Sequence, residues 1–313
     1  MFAETDYILK NFQVRKSTAQ KASFRNWLSD SLKSLGYDVR IESGGSLFKS
    51  SNVIVGDPET AKVVYTAHYD TCSVLPIPNF ITPQNLPLYL LYQILIVIPM
   101  FVLAIGAELL LLLVWNDAPM WLAILVVYFV LAFCIWWMMA GPANKHTMND
   151  NTSGVATLME IALSLPAEHR SVVAFIFFDN EEKGLLGSSL FKKKHGAKMK
   201  NTPVINFDCV SDGEYIQFYP NKALKKDEEL LVQLENTFCS AKGKQIEVVK
   251  GFGFYPSDQK AFARGIGVAA MHKGPLGYWL GRIHTKRDTV FDTQNIELLR
   301  SGALNFVSSL LKD

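Results

Sequence analysis

Val63-Val64-Tyr65-Thr66-Ala67-His68-Tyr69-Asp70-Thr71 joins an unbroken, largely apolar run to a histidine and, two residues on, an aspartate. A short continuous run of this kind reads as a strand buried on both faces, as in the middle of an α/β sheet. In open α/β sheets ligands gather at the carboxyl ends of the strands, which is where His68 falls. The pattern recurs downstream. Val172–Phe178 is another buried run and ends at Asp179-Asn180-Glu181-Glu182; Val204-Ile205-Asn206-Phe207 ends at Asp208; Gly267–Ala270 reads as a fourth strand. Helical periodicity alternates with these runs. A helix is predicted from Thr18 to Leu35, with Phe24, Trp27, Leu28 and Leu32 on one face and Gly36 as its stop. Others are predicted over Ser153–Leu165, with Val155, Leu158 and Ile161 inward, and over Thr293–Leu311. The expected fold is α/β, a mixed central sheet with helices on both faces, which draws His68, Glu181, Glu182 and Asp208 to one edge.

Two long apolar segments, Leu88–Trp115 and Trp121–Ala140, interrupt this pattern. Each reaches the ~20 residues that cross ~30 Å of hydrocarbon. From Ala118 to Asn144 there is no charged residue, and Glu108 is the one charge in the first segment. Tyr89, Tyr92, Trp136 and Trp137 lie toward one boundary, Trp115 and Trp121 toward the other, as in an aromatic belt. The link Asn116-Asp117-Ala118-Pro119-Met120 is so short that the pair reads as a transmembrane helical hairpin over residues 86–140, with Pro99 expected to kink the first span. The chain is thereby expected to hold one discontinuous soluble domain, residues 1–80 and 141–313, both parts on one side of the bilayer. The link carries no Lys or Arg and the N-terminus no basic-then-apolar leader, so that side is expected to be the cytoplasm of a plasma or inner membrane. Because the hairpin leaves from the loop just beyond His68, the membrane and the site are expected to share a face.

Composition narrows the function classes. A net charge of +2 over 313 residues gives no nucleic-acid surface. Four scattered cysteines, Cys72, Cys134, Cys209 and Cys239, form neither a CxxC pair nor a disulfide framework.

The acidic and histidine residues at the strand ends suit metal-dependent hydrolysis, which needs neutral imidazoles and carboxylates as ligands and one further group to move a proton. Two histidines with three carboxylates, one of them shared, suit two zinc ions ~3.5–4 Å apart. His68, Asp150, Glu182, Asp208 and His284 supply that set. Of the adjacent Glu181 and Glu182, one can bind metal while the other holds a water proton. Asp70 can accept a hydrogen bond from the His68 imidazole and fix its tautomer. His146, His169, His195 and His272 have no comparable setting and read as structural or surface residues, and Lys192-Lys193-Lys194 reads as a solvated helix face.

Five ordered motifs, AHYDT (67–71), NDNTSGVATLMEIA (149–162), FFDNEEKGLLGS (177–188), INFD (205–208) and IHTKRDT (283–289), resemble metallopeptidase family 28 over nearly all of the chain except the hairpin. That family holds co-catalytic zinc aminopeptidases, carboxypeptidases, glutaminyl cyclases and catalytically dead relatives. The resemblance implies a zinc-exopeptidase-like fold and two zinc ions, one with His68 and Asp208 as terminal ligands and the other with Glu182 and His284, Asp150 bridging both. It implies Glu181 as general base and acid, with a metal-bound hydroxide attacking the scissile carbonyl. Ser257-Asp258 matches a further family segment, although Ser257 reads equally well as the N-cap of a helix reaching Arg264. Where many members carry Tyr before the last histidine, this chain has Ile283, leaving either Tyr255, Tyr278 or Arg282 as oxyanion donor or stabilisation by metal alone.

The expected function is a membrane-anchored di-zinc exopeptidase of aminopeptidase type, acting on short or membrane-proximal peptides. The alternatives are an amidohydrolase or cyclase acting on N-acyl or amphipathic substrates, and a non-catalytic membrane scaffold with a peptidase fold. Expected partners are a peptide or amphipathic amide substrate, the lipid bilayer and a second copy joined through the hairpin, but no nucleic acid.

Overall fold

A computed structural model describes residues 1–46 and 48–312. Among these, the strands make one mixed sheet in the order β1 (Val39–Gly44), β2 (Ser50–Val55), β4 (Val173–Phe178), β3 (Val63–His68), β5 (Val204–Phe207), β8 (Gly265–Gly274), β6 (Tyr215–Pro220) and β7 (Gln245–Val248), with β9 (Gly277–Trp279) pairing β8. β3 runs parallel to both β4 and β5. Register decides what meets at their ends. His68 lies opposite Phe178, and Thr66 opposite Asn206, so the segments that follow β4 and β5 emerge level with His68.

The helices are α1 (Ala3–Asn11), α2 (Thr18–Ser34), α3 (Leu86–Val114), α4 (Met120–Ala140), α5 (Gly154–Ser164), α6 (Leu186–His195), α7 (Glu228–Thr237) and α8 (Thr293–Leu310). A capping box starts α2: Gln20 N donates to Ser17 Oγ (3.2 Å) and Ser17 N to Gln20 Oε1 (2.9 Å). Strand alternation divides the core between the two faces of the sheet. Val53, Val63, Tyr65, Phe175 and Phe177 pack with residues of α1, α2, α5, α7 and α8. Ile54, Val64, Ile176 and Phe178 pack with Phe191 of α6 and with Phe262. The expected mixed sheet covered on both faces is therefore what the chain builds.

α5 approaches the sheet so closely that a Cβ at Gly154 would lie 2.2 Å from Phe207 O, and only glycine fits there. Downstream, the helix expected from Ser257 to Arg264 is a single 3-10 turn, Asp258–Ala261. Ser257 does not cap it, because its hydroxyl accepts a hydrogen bond from Asn206 Nδ2 instead (2.9 Å).

α3 and α4 are each long and apolar enough to cross a membrane, and they pack mainly on one another. Their buried residues are Ala104 and Ala123, small side chains that let two helices approach closely. α3 continues through Pro99. A short neck joins this hairpin to the body: Val74 N donates to Pro142 O (2.8 Å) and Asn144 N to Cys72 O (3.1 Å). Lys16 Nζ donates to both Met139 O and Ser73 Oγ (2.8 Å each), holding the end of α4 against the neck. At the other root, Tyr92 Oη donates to Pro78 O (2.6 Å) and Phe80 packs against Trp279 (5.7 Å).

Candidate metal centre

All seven residues singled out in the sequence come together at the carboxyl edge of β3, β4 and β5. Asp150 faces a different histidine with each oxygen: Oδ1 lies 3.3 Å from His68 Nε2, and Oδ2 lies 3.1 Å from His284 Nε2. A second carboxylate completes each half. Asp208 Oδ1 is 3.5 Å from His68 Nε2, and Glu182 Oε2 is 3.3 Å from His284 Nε2. Zinc with Zn–N and Zn–O bonds near 2.0 Å places tetrahedral ligand atoms roughly 3.3 Å apart, close to all four separations. Glu182 Oε1 is buried with no hydrogen-bond partner, which leaves an acceptor free for a cation. The donor set fits two divalent ions of zinc's type, and its two halves share Asp150.

The backbone around these ligands is tied down locally. Asp288 accepts from Asn149 N (2.7 Å) and Asp150 N (3.0 Å), fixing the strand-like start of the Asp150 segment. Asn151 Nδ2 donates to Phe207 O (3.0 Å), and its Oδ1 accepts from Gly154 N (2.9 Å), clamping that segment to the end of β5. Glu181 and Glu182 sit in a 3-10 turn (Glu181–Lys183) rather than on an extended strand end. Asn180, Cys209 and His284 all have positive φ, at 56°, 57° and 61°, so the chain bends sharply where it presents the site.

Asp70 does something the sequence did not announce. His68 Nδ1 lies 3.1 Å from the Asp70 backbone carbonyl and 3.6 Å from its carboxylate, so the carbonyl is the closer partner of the ring. The carboxylate instead accepts from Glu181 N (3.0 Å) and Glu182 N (3.2 Å). It thereby caps the turn that aims both glutamates.

Charge is crowded here. Burial pushes Glu181 well above the usual carboxylate range, with neighbouring Glu182 adding to it against the pull of His68. Burial likewise raises Glu182 to about 8 and Asp288 to about 8. For Asp150 burial is outweighed by the two facing imidazoles, which hold it below the usual range. His284 rises to about 9, because Glu182 and Asp150 overcome its burial. A bound cation would offset this much buried carboxylate.

Two further side chains reach the site: Asp258, from the family-like Ser257-Asp258 segment, and Cys72, which was not expected there. Asp258 is fully buried, has no hydrogen-bond partner at either oxygen, and is raised by burial to about 7. Cys72 Sγ lies within 4.8 Å of ligand atoms of Asp150, Glu182 and His284. Cys72 carries no spacing signal in sequence, since a lone Cys is common. Of the candidate oxyanion donors, Tyr255 is engaged, donating to Asp208 O (3.1 Å), and Tyr278 packs edge-on against Tyr215 (5.2 Å). Arg282 is partly exposed, 3.5 Å from Asp212, and Ile283 is buried in an apolar cluster with Leu280 and Tyr255. His195 is held between Glu42 and Glu59, remote from the ligands.

Comparison with known proteins places this geometry in context. The model of peptidase family M28 matches residues 136–307, which takes in Asp150, Glu181, Glu182, Asp208 and His284 but not His68 or Asp70. No curated protein matches the sequence. Among solved structures, the glutaminyl cyclase of Porphyromonas gingivalis aligns over 98% of this chain and 97% of its own, with a TM-score of 0.62 and 18% identity. The Macrostomum lignano glutaminyl cyclase aligns over 100% and 90%, with a TM-score of 0.63 and 12% identity. The LapA aminopeptidase of Legionella pneumophila aligns over 99% and 68%, with a TM-score of 0.60 and 14% identity. At these identities the likeness is one of fold.

Proposed function

Since the chain belongs to peptidase family M28, its model matching more than half of the sequence, we propose that the protein is a membrane-anchored di-zinc exopeptidase of the aminopeptidase type. The observation that carries this reading is Asp150, each of whose oxygens faces a different histidine backed by its own carboxylate. In it, His68 and Asp208 hold one ion, Glu182 and His284 the other, and Asp150 both. Zinc bound there supplies Lewis acidity toward an amide carbonyl and toward the attacking water. Glu181 binds no metal in this scheme. Asp70 holds its backbone amide, and its buried carboxyl takes the proton from water and returns it to the leaving amine.

The hairpin is proposed to anchor the body on the cytoplasmic side, because the link between the spans carries no Lys or Arg. A homodimer through the hairpins is proposed as well, since α3 and α4 leave most of their apolar surface uncovered; cross-linking in detergent or nanodiscs tests it.

One observation favours an amphipathic substrate. A crevice of about 550 Å³ between the spans is lined by Leu103, Phe133 and Trp137, and by Leu75 and Pro76 of the body. Leu75 N donates to His284 O (2.7 Å), and Leu75 and Pro76 also line a groove with Lys286 and Arg287. An apolar tail in the crevice would bring a polar head beside the metal ligands, with two cations available for an acidic group. Filling the crevice by Leu103→Trp should then slow long-tailed amides selectively and leave short ones unchanged. If long-tailed amides are cleaved equally well after the hairpin is removed, this substrate reading fails.

The primary test is metal content together with turnover on aminoacyl and N-acyl amides, comparing wild type with Glu181→Ala. The expected result is about two zinc ions per chain and aminoacyl cleavage that Glu181→Ala abolishes. Cleavage of acylated substrates alone moves the protein to the amidohydrolases. One ion with cyclisation of N-terminal glutamine moves it to the cyclases. No metal and no turnover leaves a membrane scaffold.

A further inference from the structure

The two halves of the metal centre differ in one atom type. Around His68 the ligand atoms are nitrogen and oxygen, whereas around His284 a sulfur stands with them: Cys72 Sγ, His284, Glu182 and an Asp150 oxygen all lie within 4.8 Å of one another. Cys72 is 1% exposed. The usual reason for a buried free cysteine is that it packs as a small apolar side chain. Cys209 fits that reason, belonging to an apolar cluster with Tyr219 and Tyr255 and donating its thiol to Asp208 Oδ1 (3.2 Å). Cys72 does not. It belongs to none of the three apolar clusters, and its recorded polar contact is with a donor, Asn144 Nδ2, 3.8 Å away.

A second, independent observation points to the same spot. The side chain of Glu182 is nine-tenths buried, and its Oε1 is without a partner although its carboxylate is one of the groups gathered around Cys72. The neck explains how the sulfur is placed. Asn144 N donates to Cys72 O and Val74 N to Pro142 O, so the two strands at the root of the hairpin hold residue 72 beside the ligands.

We propose that Cys72 is a ligand of the ion held by Asp150, Glu182 and His284, so that one half of the centre is a mixed nitrogen–oxygen–sulfur site and the other a nitrogen–oxygen site. The inference rests on the metal-binding reading above and goes beyond it in assigning a thiolate. On loading, the S–H bond breaks, a metal–sulfur bond forms and the proton passes to the buffer. A thiolate makes this half selective for thiophilic ions such as zinc and cadmium over magnesium or manganese, a preference the His68 half does not share.

The test is a cadmium titration of the full-length protein in detergent after stripping with a chelator, read by ultraviolet thiolate-to-metal charge transfer. Wild type should develop a band with the intensity of one thiolate. Cys209→Ser should keep that band, and Cys72→Ser should lose it while its cadmium affinity at one site falls about tenfold or more. A variant with Cys134, Cys209 and Cys239 all replaced retains Cys72 and should keep the band, so the result does not depend on Cys72→Ser folding. Cadmium bound without the band, or a band that survives in folded Cys72→Ser, overturns the thiolate assignment and leaves the metal centre standing. Failure of wild type to bind any cadmium or zinc overturns both.

Discussion

α5 and the α3–α4 hairpin are both built from apolar residues, yet their surroundings are opposite. Every residue of α5 from Gly154 to Ala162 is buried, against β3, α8 and α1. In α3 and α4 only Ala104 and Ala123 are buried, while Leu113 is 82% exposed and Phe129 72%. The one carboxylate in each of α5 and α3 sharpens the contrast. Glu160 in α5 is buried but accepts from Phe2 N and Thr5 Oγ1 (2.7 Å each), whereas Glu108 in α3 has no ion-pair partner among the described residues. Apolar composition alone therefore does not say which solvent a helix has chosen. α5 is covered by a sheet and two helices; α3 and α4 leave most of their apolar surface uncovered within the chain and are long and apolar enough to cross a membrane.

If this division is right, chemistry belongs to the body and the hairpin supplies location. The largest expected effect is at Glu181. Glu181→Ala should lower turnover of a short soluble substrate ~10²–10⁴-fold with metal content unchanged, the size of a lost general acid–base. Replacing residues 86–140 by a flexible linker, which keeps the contacts of Ile81 with Leu280 and of Pro83 with Phe254, should leave that turnover within a few-fold and give a protein that runs as a single species without detergent. Equal losses in the two variants would break the comparison, since the hairpin would then be part of the active body.

Stability should divide in the same way. Phe175 is fully buried between Tyr37 and Tyr65, so Phe175→Ala should cost ~3–5 kcal/mol in chemical denaturation. Phe129→Ala, on the open face of α4, should change the same midpoint by less than ~0.5 kcal/mol. Phe129→Arg then separates water from lipid. On a water-facing helix it is harmless, but near the middle of a span it costs ~2.5–3.5 kcal/mol of insertion, measurable as the fraction of chains integrated into microsomes. Full integration of Phe129→Arg would mean that α4 does not cross the bilayer there.

The legible parts of this molecule are those whose signal is local. β3, β4 and β5 are continuous apolar runs, and each is found within a residue of where it was read. α2, α5 and α8 carry clear periodicity, and α3 and α4 follow the two long apolar runs. The edge strands were not seen. β1 has Val39 as its one buried residue, the rest being partly or fully exposed, and carries Arg40 and Glu42, and β7 is four residues long, so neither stands out from loop. Within the candidate site, His68, Glu181, Glu182 and Asp208 stood out because each follows an apolar run that reads as a strand, and Asp150 and His284 because of the family-like motifs that hold them. Asp288 and Cys72 did not, because their roles exist only once distant segments meet: Asp288 caps the Asp150 segment, and Cys72 is carried in by the neck. Asp70 was read as a partner of the His68 ring, which lies 3.6 Å from its carboxylate; the backbone amides 111 and 112 residues away, from which that carboxylate also accepts, were not foreseen.

Acid response gives the smallest and most discriminating difference between the two regions. Between residues 86 and 140 only Glu108 and Asp117 carry carboxylates, and neither forms an ion pair among the described residues. The body has paired ones. Glu42 lies 3.0 Å from His195 Nε2 and 2.9 Å from Lys194 Nζ, with Arg40 Nε at 3.3 Å. Partial burial opposes its charge, but these partners outweigh it and hold the carboxyl at about 2, below its ordinary 4.5. A carboxyl depressed in the folded state stabilises it above the unfolded value, and that contribution fades as pH falls through the folded one. Glu42→Gln should therefore lower the urea midpoint at pH above about 4.5, and the gap from wild type should close toward pH about 2. Asp117→Asn, in the link between the spans, should move the midpoint by less than ~0.5 kcal/mol at any pH. A gap at Glu42 that persists unchanged to the acid limit would mean that its partners hold it by packing rather than by charge. The body would then owe its acid response to other carboxylates.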